Sequence, residues 1–171
     1  MAVTNFLRAE ALTSESKTNY IREAWNRLER IPGGKRIFSR LVGMLAPYTG
    51  TIGAVVQELG DGYARVTLAD RHAVRNHLSC IHAVALANLV ELTGNVALGY
   101  SLPDDARFIV AGMALVYVKK ARGMITGECQ IPAITSSAKQ EYQIKVTLRD
   151  ESGDLVVEGT LRTLVGPKPQ G

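Results

Sequence analysis

With 171 residues, 46% of them apolar and 21% charged, the chain has the make-up of an ordinary globular protein with enough length for one sizeable core. Its net charge of +4 suits an anionic ligand but falls short of the dense basic runs that mark nucleic-acid binding, and no such run occurs. Two cysteines, Cys80 and Cys129, supply neither a metal-ligand pair nor a disulfide framework and read as reduced thiols. The first ten residues lack the apolar core of a signal peptide, so the expectation is a cytoplasmic protein with no membrane partner.

Residues 1–16 are weakly patterned, loose or helical. From Lys17 to Ile31, the residues Tyr20, Ile21, Trp25, Leu28 and Ile31 recur at spacings of one, three and four, which predicts an amphipathic helix. Thr13 or Ser14 offers an earlier cap, and Pro32-Gly33-Gly34 is a firm stop. A second helix is expected from Lys35 to Leu45, with Ile37, Phe38, Leu41, Val42 and Leu45 on one side, and Pro47-Tyr48-Thr49-Gly50 closes it. Together these form an N-terminal helical arm, residues 1–48, expected to cap a tunnel or a sheet edge. Its Lys17, Arg22, Arg27, Arg30, Lys35, Arg36 and Arg40 are expected to be a solvated helix surface.

From Thr51 the period changes to two. Ile52, Ala54, Val56 and Leu59 lead into Gly60-Asp61-Gly62, and Tyr63 to Leu68 alternates again, which predicts a hairpin. Asp70 to Cys80 is a polar loop without strand or helix period. From about Ile81 to Tyr100 follows a stretch apolar on nearly every side, interrupted by His82, Asn88, Glu91 and Asn95. It reads as too short and too polar for a bilayer span, hence as a helix wrapped by other structure. Four strand-like runs complete the chain: Phe108–Val118, Met124–Ile134, Tyr142–Leu148 and Leu155–Val165. Two strands, one buried helix and four strands predict an α+β fold, in which antiparallel strands curl round a helix that needs no partner on its other faces.

The polar residues of that helix are the candidate site. Asn88, Glu91 and Asn95 fall in one narrow wedge, because they are spaced three and four apart. His82 lies nine positions before Glu91, pointing roughly 180° away and about 13 Å up the axis. Two such features serve one site only if two copies pack together, helix start against wedge.

The order of elements and the loop-to-helix sequence resemble the hotdog fold, specifically acyl-CoA thioesterases of the phenylacetic-acid-degradation type. That family carries Asn, then His-Gly-Gly six residues on, then an acid nine residues after the His. Asn76, His82 and Glu91 stand at those spacings. Met113-Ala-Leu-Val-Tyr117, followed by Ala121 and Gly123, is similar to the family's next strand. Ala83 and Val84 replace the two glycines, and Lys120 stands where the family has Pro. The resemblance covers about residues 51–165. It implies a curved antiparallel sheet of five to six strands round one central helix, a main domain over 49–171, and a homodimer or homotetramer acting on acyl-CoA or acyl-carrier thioesters.

Thioester cleavage needs a base or nucleophile and donors for the oxyanion. Glu91 fills the first role as base or nucleophile, with burial expected to raise its pKa and Asn95 or Asn88 to orient it. The free N–H groups of Ala83 and then Val84 at the helix start are the donors, strengthened by the helix dipole. Asn76 is placed to hold water or the carbonyl, and His82 to line the site, bonded to backbone. Arg71, Arg75, Lys119, Lys120 and Arg122 are candidates for CoA phosphates, or solvated surface. CoA enters as part of the substrate; no further cofactor and no metal are expected. His72 and His77 read as loop residues, Ser136 and Ser137 as turn residues, and Cys80 as a packed small residue. Two readings stay open: a thioester hydrolase, or a non-catalytic acyl- or CoA-binding or scaffold module, which the Ala83-Val84 replacement favours.

Overall fold

The computed structural model describes residues 18–169; the expectations for residues 1–17, the Thr13 or Ser14 cap among them, lie outside these. The first helix, α1 (Tyr20–Leu28), begins at Asn19, whose side chain accepts from Arg22 N at 3.0 Å. The same side chain reaches across the fold, and Nδ2 donates to Gly99 O at 2.7 Å and Leu102 O at 2.9 Å. One buried amide thus satisfies groups at the ends of two helices. The Pro32-Gly33-Gly34 stop holds as expected, and a Cβ on Gly34 would collide with the carbonyl of Leu28. The next helix, α2 (Gly34–Leu45), packs Phe38 edge-to-face on Trp25 with ring centroids 5.1 Å apart. One further helical turn, α3 (Pro47–Gly50), follows directly.

The strands are β1 (Val55–Gly60), β2 (Tyr63–Leu68), β3 (Ala106–Tyr117), β4 (Ile125–Gln130), β5 (Gln140–Arg149) and β6 (Leu155–Pro167). They form one antiparallel sheet in the order β1-β2-β4-β5-β6-β3. The expected hairpin is present, with Gly60 opposite Tyr63 across Asp61-Gly62. The central helix, α4 (Ala83–Ser101), lies against the sheet, and its Leu89, Val90 and Ala97 are fully buried. This is the hotdog architecture.

Two expectations change. By length and hydropathy α4 is able to cross a membrane despite its polar interruptions. Its burial is what accounts for it, since 67% of that stretch lies inside the fold. Nor do the strands wrap α4 alone. A six-stranded sheet curls round one side only, so the arm closes part of the other, through Asn19 near the end of α4 and through Tyr48 O, which accepts from Asn88 Nδ2 at 3.2 Å.

The two sheet edges are treated differently. At β1, α2 lies alongside and Ser39 Oγ accepts the Val56 N–H at 2.9 Å, which seals a donor at that edge. At β3, twelve residues pair with β6 only and leave their other side open.

The seat of α4 on the sheet is close. A Cβ on Gly94 would come within 2.5 Å of Leu161 Cδ1, and one on Gly159 would overlap Val90 Cγ1. Overpacking of this kind costs about 1–3 kcal/mol, more than the up to ~1 kcal/mol gained by stiffening the unfolded chain. Gly159→Ala is therefore expected to lower the urea midpoint of unfolding at unchanged m-value. A midpoint equal to that of the wild type would mean that α4 has slack at this point.

Candidate active site

The loop before α4 builds the helix start. Asn76 Oδ1 accepts from Leu78 N at 2.9 Å and Cys80 N at 3.4 Å, and Asn76 N donates to Cys80 O at 2.9 Å. Ser79 sits in this turn at φ 53°, the one non-glycine residue with positive φ among the described residues. A small polar side chain bears that left-handed conformation better than a bulky one. The loop is then fastened to its neighbours, with Ile81 N donating to Ala121 O at 2.9 Å and His82 N to Val74 O at 2.8 Å. Asp70 ties the same region together: Oδ1 accepts from Arg75 Nε at 2.6 Å and Oδ2 from Gly123 N at 3.1 Å. The Arg75 hydrogen bond, more than any other contact, holds the Asp70 carboxyl below the usual carboxylate range.

His82 is the N-cap of α4, and its Nδ1 accepts the Val84 N–H at 3.1 Å. This is the backbone-bonded role expected of it. It has a consequence for the oxyanion donors, because the Val84 N–H is already taken. The Ala83 N–H is left without a partner among the described residues. Tyr117, at the end of β3, donates its phenol to Ala83 O at 3.1 Å, and partial burial lifts that phenol above its ordinary value, so it stays a donor.

Further along α4, Val84, Ala87, Glu91 and Asn95 form a stripe that neither sheet nor arm covers fully. Val84 is 51% exposed, and the other three are half-buried. Asn88 is buried beside them. The Glu91 carboxylate accepts no hydrogen bond and joins no salt bridge among the described residues. Asn88 and Asn95, expected to orient it, do not bond it within this chain; their Oδ1 atoms are buried without a donor. Spacings of three and four put the Cβ atoms of Asn88 and Asn95 each about 5–6 Å from that of Glu91, on its two sides along the helix. The wedge therefore holds one half-buried carboxylate without a partner and two amide oxygens enclosed without a donor. From Ala83 to Glu91 the rise is roughly 12 Å, so one α4 keeps donor and carboxylate apart.

The expected phosphate ligands divide. Arg75 is engaged by Asp70, Lys119 by Asp150 at 2.6 Å and Asp154 at 2.7 Å, and Arg71 Nη2 donates to Thr51 O at 3.0 Å. Lys120 and Arg122 are exposed and make no hydrogen bond or salt bridge among the described residues. No group of three or more His, Cys, Asp or Glu able to hold a metal occurs among them either. Both cysteines are free and buried, and burial pushes the Cys129 thiol up to about 12, where it stays protonated. Sequence reasoning did not foresee Tyr117 against Ala83 O or Tyr48 O against Asn88. These contacts span 34 and 40 residues, and no local pattern marks them.

Comparison with known proteins agrees with this architecture. A family model described as a domain of unknown function, DUF4442, matches residues 34–165. No curated protein matches. Among solved structures, a structural-genomics target is 27% identical with a TM-score of 0.76, over 86% of this chain and 99% of the other. A Pseudomonas aeruginosa protein of unknown function, described as a probable thioesterase, is 24% identical with a TM-score of 0.70, over 80% and 97% of the two chains. A Haemophilus influenzae thioesterase is 15% identical with a TM-score of 0.65, over 75% and 90%. These likenesses show the hotdog fold.

Because its folded pKa lies below its ordinary value, Asp70 adds stability that is whole above about pH 5 and is lost as pH falls through the folded value. Asp70→Asn is expected to be less stable than wild type in urea at pH 7, with a gap that closes below about pH 4. A gap independent of pH would assign the effect to shape, not charge.

Proposed function

The chain belongs to the DUF4442 family, and from that premise we propose that it is a thioester hydrolase whose site is completed by two copies of the chain. The observation that carries the reading is Glu91 on the partly open stripe of α4, a half-buried carboxylate with no hydrogen bond or salt bridge among the described residues. A water molecule on the open side of the stripe has a hydrogen to give that carboxylate. Glu91 takes one proton as the water oxygen bonds to the thioester carbonyl carbon. The carbonyl oxygen gains negative charge and is held by the Ala83 N–H at a helix N-terminus, where the dipole favours an anion. The C–S bond then breaks and the thiolate leaves with the proton. His82, by capping Val84, and Tyr117, by holding Ala83 O, position the donor. Asn76 shapes the loop before it, its Oδ1 already used by Leu78 and Cys80.

Donor and carboxylate lie about two turns apart on one helix, so the reaction calls for Ala83 of one copy and Glu91 of another. The open edge of β3 supports this. It exposes Ile109, Met113, Val116 and Tyr117, and pairing it with the same strand of a second copy would continue the sheet and face two α4 stripes toward each other. Exposed Lys120 and Arg122, near the loop, suit the phosphates of a CoA or carrier thioester. The binding-module alternative draws on one observation, the Val84 N–H already spent on His82, which leaves a single donor where two were expected.

Thiol release from short, medium, long and aryl acyl-CoAs tests the reading. Glu91→Ala is expected to lower turnover by about 10²–10⁴-fold, the usual share of a general base, with unchanged melting temperature. Glu91→Gln tests charge at nearly constant shape. Turnover unaffected by either change would remove Glu91 from the chemistry. No turnover on any thioester, with CoA still raising the melting temperature, would favour the binding module. Separately, Met113→Asp on the open edge is expected to turn a dimer into monomers by sedimentation velocity, with loss of activity. An active monomer would reject the shared site.

A further inference from the structure

A second cavity lies away from the α4 stripe, between α2, α3 and β1. It has a volume of about 360 Å³ and ends on Leu92, the residue after Glu91. Its wall mixes Val42, Val55 and Leu92 with Ser39 and Thr49. Beside it Gly43 and Gly50 let α2 and α3 meet backbone to backbone, a Cβ on Gly43 falling 2.9 Å from Gly50 Cα. Arg36 and Arg40 also line the cavity, and both are exposed. They stand one turn apart on a helix that holds no acidic residue, and the cavity lining holds none. Neither arginine makes a salt bridge or a side-chain hydrogen bond among the described residues.

Two like charges at this spacing repel each other. An anion between them offsets the repulsion, and the planar guanidinium matches a carboxylate in particular. At the ~30 Å³ a small group takes in a liquid, the hollow holds about a dozen non-hydrogen groups. We propose that this cavity is a binding site for a medium-chain fatty carboxylate, the head between Arg36 and Arg40 and the chain over Val42 and Val55 toward Leu92. The site is separate from the hydrolytic one and does not depend on it.

Isothermal titration of the full chain with decanoate tests this, with acetate as head without chain and decanol as chain without head. Decanoate is expected to saturate one site per chain. Arg36→Ala/Arg40→Ala is expected to weaken it at least tenfold, and Arg30→Ala and Glu91→Ala to leave it unchanged. Acetate is expected to give no saturation, and decanol to bind at least tenfold more weakly than decanoate. Decyl phosphate binding as well as decanoate would overturn the carboxylate assignment. Absence of saturation by decanoate, equal binding by the double variant, or equal binding of decanol would each overturn the proposal. So would loss in Glu91→Ala with retention in the double variant, since that would put the ligand on the α4 stripe. Arg36 and Arg40 are exposed, so their removal leaves the core intact.

Discussion

Everything in this molecule turns on how tightly one helix is pressed into one curved sheet. α4 touches β5 and β6 where Gly94 and Gly159 remove the side chains that would hold it away. Burial of Leu89, Val90, Val96, Ala97 and Leu98 is the main apolar contribution of that helix, at roughly 25 cal/mol per Å² removed from water. A sheet of six strands reaches only part of a helix's circumference. The uncovered part must be closed by something else or stay wet, and here both happen: α1 and α3 close some of it, and the stripe from Val84 to Asn95 is left partly open.

That stripe is where the polar residues of an otherwise apolar helix gather, and their state is unusual. A buried amide oxygen without a donor costs about 1–3 kcal/mol, and Asn88 and Asn95 each carry one beside a half-buried carboxylate without a partner. A sequence under selection for stability alone would replace them with apolar side chains. Their presence on a rigid core helix is what a preorganised site needs, because groups there are held by packing on every other side. The helix start is held as firmly, by the His82 cap, the Tyr117 phenol and the Asn76 turn.

The edges of the sheet extend the same logic. Ser39 and α2 close β1, and the hollow beside them carries Arg36 and Arg40. The outer side of the sheet carries ion pairs such as Arg65–Glu58 and Arg162–Glu141, worth little individually but a deterrent to indiscriminate contact. β3 has little such cover, Arg162 Nη2 reaching its Ala111 O at 3.0 Å, and it exposes apolar side chains along an edge open on one side, the feature proteins elsewhere blunt or bury.

The sequence by itself determined the elements and their order. The change of period at Thr51 marked the hairpin, Pro32-Gly33-Gly34 ended α1, and the four late runs became β3 to β6 within a few residues. The spacing of Asn76, His82 and Glu91 pointed to the loop and helix where the candidate site lies. These are readable because periodicity and turn chemistry are local, set by residues within about a dozen positions. Contacts between distant segments decided the rest. Asn19 capping α1 while binding the end of α4, Tyr117 reaching Ala83, and α2 sealing β1 each join segments many residues apart. Whether the Val84 N–H is free depended on which way the His82 ring turns, and how much of α4 stays open depended on how far six strands curl. Packing settles such questions, since the same side chain serves different partners according to what the rest of the chain brings beside it.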